Sequence, residues 1–153
     1  MKRILIVPWH NSTHPERAAE LQEAARRNVE SGLFDRLLYV TEDHRVPAGT
    51  EMVGVPHRPT YAEVFAIAAD QAGPEDVVVI ANSDIYFDDT LRALAPHEGQ
   101  AFALARWGPG GLRDRQDSQD VWIFRGPPRV PGANFWFGVP GCDNSVLHLM
   151  AKA

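Results

Sequence analysis

Hydrophobic positions fall along this chain in short continuous runs that alternate with longer amphipathic stretches. Residues 3–7 are apolar after Arg3 and end in Pro8-Trp9-His10-Asn11, which predicts a first strand followed by an aromatic-polar loop. From 16 to 29, Ala18, Leu21, Ala24, Ala25 and Val29 recur at helical spacing, opposite Glu20, Glu23 and Arg27. Pro15 suits the first turn of that helix and Ser31-Gly32 its end. Residues 37–40 predict a second strand closing in Thr41-Glu42-Asp43-His44, and 52–55 a short third one. Thr60-Tyr61-Ala62-Glu63 has the capping-box pattern, ahead of a helix with Val64, Phe65, Ile67 and Ala68 on its apolar face. Gly73-Pro74 stops it. Val77-Val78-Val79-Ile80 then supplies four consecutive β-branched residues, which suit a strand buried on both faces. Strand-helix-strand-helix-strand order predicts an α/β protein with a parallel, right-handed layer.

The second half is less regular. The pattern predicts a short helix over 90–94, a strand over 101–105, a glycine- and charge-rich loop over 107–117, and a strand over 121–124. Residues 126–140 carry four prolines and the trio Phe135-Trp136-Phe137, so this segment is expected to be irregular but packed. Asp143 or Asn144 is suited to cap a last helix over 145–150. Trp122, Phe124 and the aromatic trio are expected in the core, and Cys142 is expected to be buried. Trp9 and Trp107 abut predicted strand ends and suit a pocket.

Composition narrows the picture. A chain of 153 residues, 44% apolar and 23% charged, fits one domain over 1–153 with a real core. No apolar run approaches the roughly 20 residues of a membrane span. The apolar start is too short for a signal peptide, and the single cysteine, Cys142, allows no internal disulfide or cysteine-based zinc cluster. Both fit a cytoplasmic protein. A formal charge of −5 argues against a general nucleic-acid binder.

The candidate chemistry centres on Asn82-Ser83-Asp84, a polar, acidic cluster at the carboxyl end of the predicted central strand. Open α/β sheets bind ligands there. Asp84 is suited to a hard divalent cation. On the local residues alone, a turn at Asn82-Ser83 with Asp88 or Asp89 as a helix cap explains the same letters. His10, His14, His44 and His57 lie in predicted loops, where exposed histidine is ordinary. Gly108-Pro109-Gly110-Gly111 lacks the Lys-Ser/Thr of a phosphate-binding P-loop and reads as a connector.

Three elements in order carry a resemblance: Asn82-Ser83-Asp84-Ile85-Tyr86-Phe87-Asp88, Ser118-Gln119-Asp120-Val121-Trp122-Ile123-Phe124, and Gly138-Val139-Pro140-Gly141-Cys142-Asp143-Asn144. With Arg58-Pro59-Thr60-Tyr61 upstream, the chain resembles nucleotide-sugar glycosyltransferases of the GT-A type over about residues 3–150. The resemblance implies a Rossmann-like GT-A layer, a mostly parallel central sheet flanked by helices. Residues 1–94 would form the donor nucleotide-binding half and 95–153 an irregular acceptor-side half. It implies transfer of a sugar from a nucleoside-diphosphate donor to a glycan, protein or small-molecule acceptor. Asp84 would hold Mn²⁺ or Mg²⁺ at the place of the D-x-D motif, where Asn82 replaces the first acid. Pro8, Trp9, His10, Thr41, Asp43, Arg58, Tyr61, Asn82 and Ser83 would contact the donor. Asp143 would be the base toward the acceptor, with Asp120 at the sugar or acceptor. Relatives continue beyond the Gly-Cys-Asp-Asn element, which makes a homodimer that completes the acceptor side worth testing. The rival expectations are a non-catalytic module that binds a nucleotide or glycan, and a phosphohydrolase using Asp84, Asp88 and Asp89.

Overall fold

Hydrogen-bond pairing answers what periodicity cannot, namely which strand lies beside which. A computed structural model describes residues 1–112 and 119–152. The first half runs β1 (Arg3–Pro8), α1 (Pro15–Glu30), β2 (Arg36–Thr41), β3 (Glu51–Gly54), α2 (Tyr61–Gln71) and β4 (Val77–Ala81). A 3₁₀ turn over Asp89–Ala93, strands β5 (Ala101–Leu104), β6 (Trp107–Gly108), β7 (Gly111–Leu112) and β8 (Val121–Arg125), and helix α3 (Cys142–Lys152) follow. The protein is therefore mixed α/β, with three helices among the described residues.

Six strands form one sheet in the order β3-β2-β1-β4-β8-β5. β1, β2, β3 and β4 are mutually parallel, and β8 runs antiparallel between β4 and β5. Every residue of β4 is buried, as its β-branched run requires. Its side chains alternate between two cores. Val78 and Ile80 join Val64, Phe65, Trp122 and Val146 on the face covered by α2 and α3. Val77, Val79 and Ala81 join Leu21, Ala25 and Ile123 on the face covered by α1. Helices thus pack on both faces of a mostly parallel sheet.

The chain leaves β1 for β2 in one direction, then crosses back through α2 to place β4 on the other side of β1. That reversal opens a crevice outside the carboxyl ends of β1 and β4.

Several local expectations are adjusted. Residues 107–112 form a small antiparallel hairpin, β6-β7, instead of open loop. The remainder of the expected 107–117 loop, together with Ser118, lies outside the described residues. α3 begins at Cys142, so Asp143 sits in its first turn and does not precede it as a cap. Cys142 is partly buried rather than fully so. Trp136 is 47% exposed, unlike Phe137, which stacks on Tyr61 in the core with centroids 4.1 Å apart. A Thr60–Trp136 bridge pins the backbone there and leaves the indole outside, edge-on to His57.

Candidate functional site

The crevice at the strand-order reversal is a cleft of about 530 Å³. β1 delivers Pro8, Trp9 and His10 to it; β4 delivers Asn82, Ser83 and Asp84; Asp120 arrives just before β8. Arg17 from α1, Glu42 after β2, Arg58 and Pro59 before α2, Arg106 after β5, and Phe137 with Gly138 complete the wall. The backbone N–H of Trp9 donates to the Val40 carbonyl at 2.7 Å, and its ring lies 5.4 Å from that of Tyr39. The indole, 4% exposed, is therefore held largely within the core at the cleft's edge.

Asp84 is the centre of the charge arrangement. One oxygen, Oδ2, accepts from Arg17 Nη1 at 3.3 Å and from Arg106 Nη1 at 3.2 Å. The Asp84 side chain is only 12% exposed, so these contacts are weakly screened compared with surface pairs. Arg17 Nη1 also donates to Glu20 at 2.6 Å. Burial opposes the charge of Arg17, but Glu20 and Asp84 more than offset it, and its pKa rises above the ordinary guanidinium value. Arg106 spans two carboxylates: its Nε stands 3.7 Å from Asp120 Oδ2. Asp120 Oδ1 accepts from Asn82 Nδ2 at 2.9 Å, and the Asn82 N–H donates to the Asp120 carbonyl at 3.1 Å. Asn82, Asp84, Arg106, Asp120 and Arg17 thus form one connected network.

Arg58 lies across the opposite rim. Gly138 makes room for it: φ there is +75°, and a Cβ would stand 2.9 Å from Arg58 Nη2. A side chain at Gly138 would strain the backbone and push the guanidinium aside.

The structure gathers Pro8, Trp9, His10, Arg58, Asn82, Ser83, Asp84 and Asp120 into one cleft. It does not bring Thr41, Asp43, Tyr61 or Asp143 to that wall. Thr41 is buried, and its hydroxyl accepts from the Asp43 N–H at 3.0 Å. Asp43 Oδ2 takes the Asn11 N–H at 2.9 Å and so ties the loops after β1 and β2 together. Tyr61 is fully buried in an aromatic cluster, and burial first, then Cys142, Asp143 and Asp120 nearby, raises its pKa. Asp143 Oδ2 faces the Gln119 N–H at 3.4 Å, beside Asp120. Asp88 and Asp89 do not converge with Asp84 on the cleft: Asp88 caps Thr90, and Asp89 is exposed and pairs with Arg92. Asp88 does line a neighbouring cavity with Asp84, but the three carboxylates form no metal-holding group among the described residues.

Arg17 and Arg106 are functional candidates that the sequence did not single out. Their partner is 67 and 22 residues away respectively, so no local spacing signals either pair.

Whether a cation fits can be judged from the donor set. No group of three or more His, Cys, Asp or Glu able to hold a metal occurs among the described residues. A self-contained protein cage is therefore absent from that part of the chain. Mg²⁺-type sites completed by substrate phosphates need only one or two carboxylates. In this structure Asp84 and Asp120 are both engaged by Arg106, which stands between them.

A second cavity, of about 720 Å³, shares Asp84 and Arg106 with the first. It contains Trp107, 77% exposed, and Tyr86, 49% exposed, the latter beneath the Arg27 guanidinium at 4.4 Å.

Fold and cleft together define a class: an α/β protein with a charged crevice at the reversal point of a mostly parallel sheet. No protein-family model matches the chain, and no curated protein matches it. No helix among the described residues is long and apolar enough to cross a membrane.

Proposed function

We propose that this protein is a GT-A-type glycosyltransferase that takes its sugar from a nucleoside-diphosphate donor. The observation that carries the reading is Asp84: a carboxylate at the carboxyl end of β4, in the reversal crevice, held by guanidiniums from α1 and from the loop after β5. Pro8, Trp9 and His10 would frame the nucleoside. Arg58 and the Asp84-bound arginines would face the diphosphate, whose oxygens the planar guanidinium fork matches. The neighbouring cavity beyond Asp84 and Arg106 would receive the acceptor, with Trp107 and Tyr86 as apolar faces.

In the reaction, an acceptor oxygen bonds to the anomeric carbon while the bond from that carbon to the diphosphate breaks. The hydroxyl proton passes to a carboxylate, and the diphosphate leaves with the electron pair. Asp120, which lines the cleft, would take the proton; Asp143 stands behind it across Gln119 and does not reach the wall. Arg17, Arg58 and Arg106 stabilise the charge that grows on the leaving group. Bound Mn²⁺ or Mg²⁺, held by Asp84 with Asn82 and Asp120 beside it, would supply further neutralisation.

Calorimetric titration with UDP and GDP, with and without Mn²⁺, tests this on the wild type and on Asp84→Ala. The expected result is nucleotide binding with a Mn²⁺-dependent increment that disappears in the variant. Failure of both nucleotides to bind overturns the reading. Binding without any release of UDP or GDP from their sugar derivatives, whatever acceptor is offered, makes the protein a non-catalytic nucleotide-binding module instead.

A further inference from the structure

We propose that the acceptor is a saccharide, seated in the cavity beside the cleft with Trp107 and Tyr86 against its ring faces. This rests on the reading of the protein as a glycosyltransferase and names the substrate class of its acceptor side. The cavity, about 720 Å³, shares Asp84 and Arg106 with the donor cleft. Small-molecule sites usually span roughly 300–1,000 Å³. Its wall sets two exposed aromatic rings among hydrogen-bonding groups: Glu20, Asp84, Asp88, Thr90 and Arg106. A pyranose has the matching chemistry. Its C–H hydrogens are attracted to the negative face of an aromatic ring, and its equatorial hydroxyls each donate and accept.

Both rings are held in place. Tyr86 lies between the two residues that Asn28 binds, through the Ile85 carbonyl at 2.9 Å and the Phe87 N–H at 3.1 Å. The Arg27 guanidinium stands 4.4 Å from the Tyr86 ring centroid, and its Nε donates to Glu23 at 2.7 Å, so one face of the ring is covered by a fixed group. Trp107 stands on the β6-β7 hairpin opposite Leu112, with its Cζ3 only 3.9 Å from where a Cβ on Gly111 would lie. It is nonetheless 77% exposed. A large ring positioned in the open, beside a second one, is a surface that a ligand completes. The hydroxyl partners are set as well. Asp88 uses Oδ1 for Thr90, Glu20 uses Oε2 for Arg17, and Asp84 uses Oδ2 for Arg17 and Arg106. Among the described residues the second oxygen of each has no partner, and each can accept a sugar O–H in a charge-assisted bond.

Other acceptor classes fit this wall less well. A lipid chain needs a continuous apolar lining, which Glu20, Asp84, Asp88 and Arg106 interrupt. A lysine-rich peptide is drawn to carboxylates, but Glu20 and Asp84 are already paired with Arg17 and Arg106. Arg27 already occupies the cation position on Tyr86. A neutral polyhydroxyl ligand meets neither obstacle. Its attacking hydroxyl would belong to the ring nearest Asp84 and Arg106, where cavity and cleft meet. That hydroxyl gives its proton to Asp120 and its oxygen bonds to the donor's anomeric carbon as the diphosphate leaves, so the new bond joins two sugars.

Saturation-transfer NMR on the full chain, with and without UDP or GDP, tests this with maltose, cellobiose, lactose and chitobiose as probes. Octanol and pentalysine stand for the lipid and cationic-peptide classes. At least one disaccharide is expected to bind, with the strongest saturation at its ring C–H protons. Trp107→Ala and Tyr86→Ala should each weaken that binding at least tenfold, whereas Trp107→Phe, which keeps a ring face, should lose less. Trp107 is exposed, and an unchanged circular dichroism spectrum of Trp107→Ala shows that the loss is not one of folding. No signal from any of the disaccharides, or saccharide binding indifferent to Trp107→Ala, overturns the inference. So does octanol or pentalysine binding that depends on Trp107 and excludes the sugars. If UDP or GDP binds in those cases, the donor reading stands without it. If a disaccharide binds at Trp107 but neither nucleotide binds, the transferase reading falls, the acceptor role falls with it, and a saccharide-binding cavity is left.

Discussion

Asn28 shows how one buried polar side chain sets the position of the candidate site. It is 2% exposed on the inner face of α1, where an apolar residue would be the ordinary choice. Its Nδ2 donates to the Ile85 carbonyl at 2.9 Å and its Oδ1 accepts from the Phe87 N–H at 3.1 Å. Both bonds cross from α1 to the segment just after Asp84, so the helix carrying Arg17 and the loop carrying Asp84 are tied through the same residue. Burial pushes the pKa of Tyr39 up to about 12, with Asn28 opposing the rise. Replacing Asn28 with Ala would leave the Phe87 N–H and the Ile85 carbonyl short of their partner. A loss of about 2–4 kcal/mol is expected for two such bonds, since an unmet buried polar group costs roughly 1–3 kcal/mol. Urea unfolding of Asn28→Ala measures it, and its UDP affinity should fall as well, because the Asp84 loop loses its tether. A variant as stable as wild type would mean that water replaces the amide without penalty.

At the scale of elements, α2 is set by local chemistry that the sequence states openly. Thr60 Oγ1 accepts from the Glu63 N–H at 3.2 Å, and Glu63 Oε2 accepts from the Thr60 N–H at 2.8 Å. This capping box starts α2 just past Arg58 and Pro59, so it also fixes that rim of the cleft. Thr60→Ala is expected to lose about 1 kcal/mol, within the range for a cap replaced by alanine. Thr60→Ser should keep most of it. Thermal unfolding of the two variants separates a hydroxyl effect from a packing effect. The box was legible because both partners lie within four letters, and β1 and β4 were legible because buried strands are continuous apolar runs. Asn28 was passed over: the helical series was read through Leu21, Ala24, Ala25 and Val29, whereas Asn28 is the residue buried beside the first three. Strand order was not legible, because β8 pairs with β4 at a separation of 40 or more positions that no local period records. For the same reason the Arg17–Asp84–Arg106 cluster was invisible, although Asp84 itself was not.

For the whole molecule, the two cores share one sheet, and β4 is the element common to both. Ile80 lies on the α2 and α3 side, between Ile6 of β1 and Trp122 of β8, and is fully buried. Ile80→Ala should cost about 2–5 kcal/mol, the range for an aliphatic core side chain cut back to alanine. Which parts of the molecule feel that loss is the sharper question. Trp122 reports the core that contains Ile80, whereas Trp9 reports the opposite core beneath α1. If β4 couples the two through its ladders to β1 and β8, the Trp9 environment should collapse at the same lowered urea concentration as the Trp122 environment. With Trp107 and Trp136 both replaced by Phe, fluorescence in Trp9→Phe and Trp122→Phe backgrounds resolves them, with far-UV circular dichroism as a third probe, and coincident midpoints are the mark of one cooperative transition. Should the Trp9 signal keep its wild-type midpoint while Trp122 shifts, the faces unfold separately. The cleft, whose walls come from β1, β4, α1 and the segment before β8, would then be disrupted with the Trp122 core while the core beneath α1 still stands.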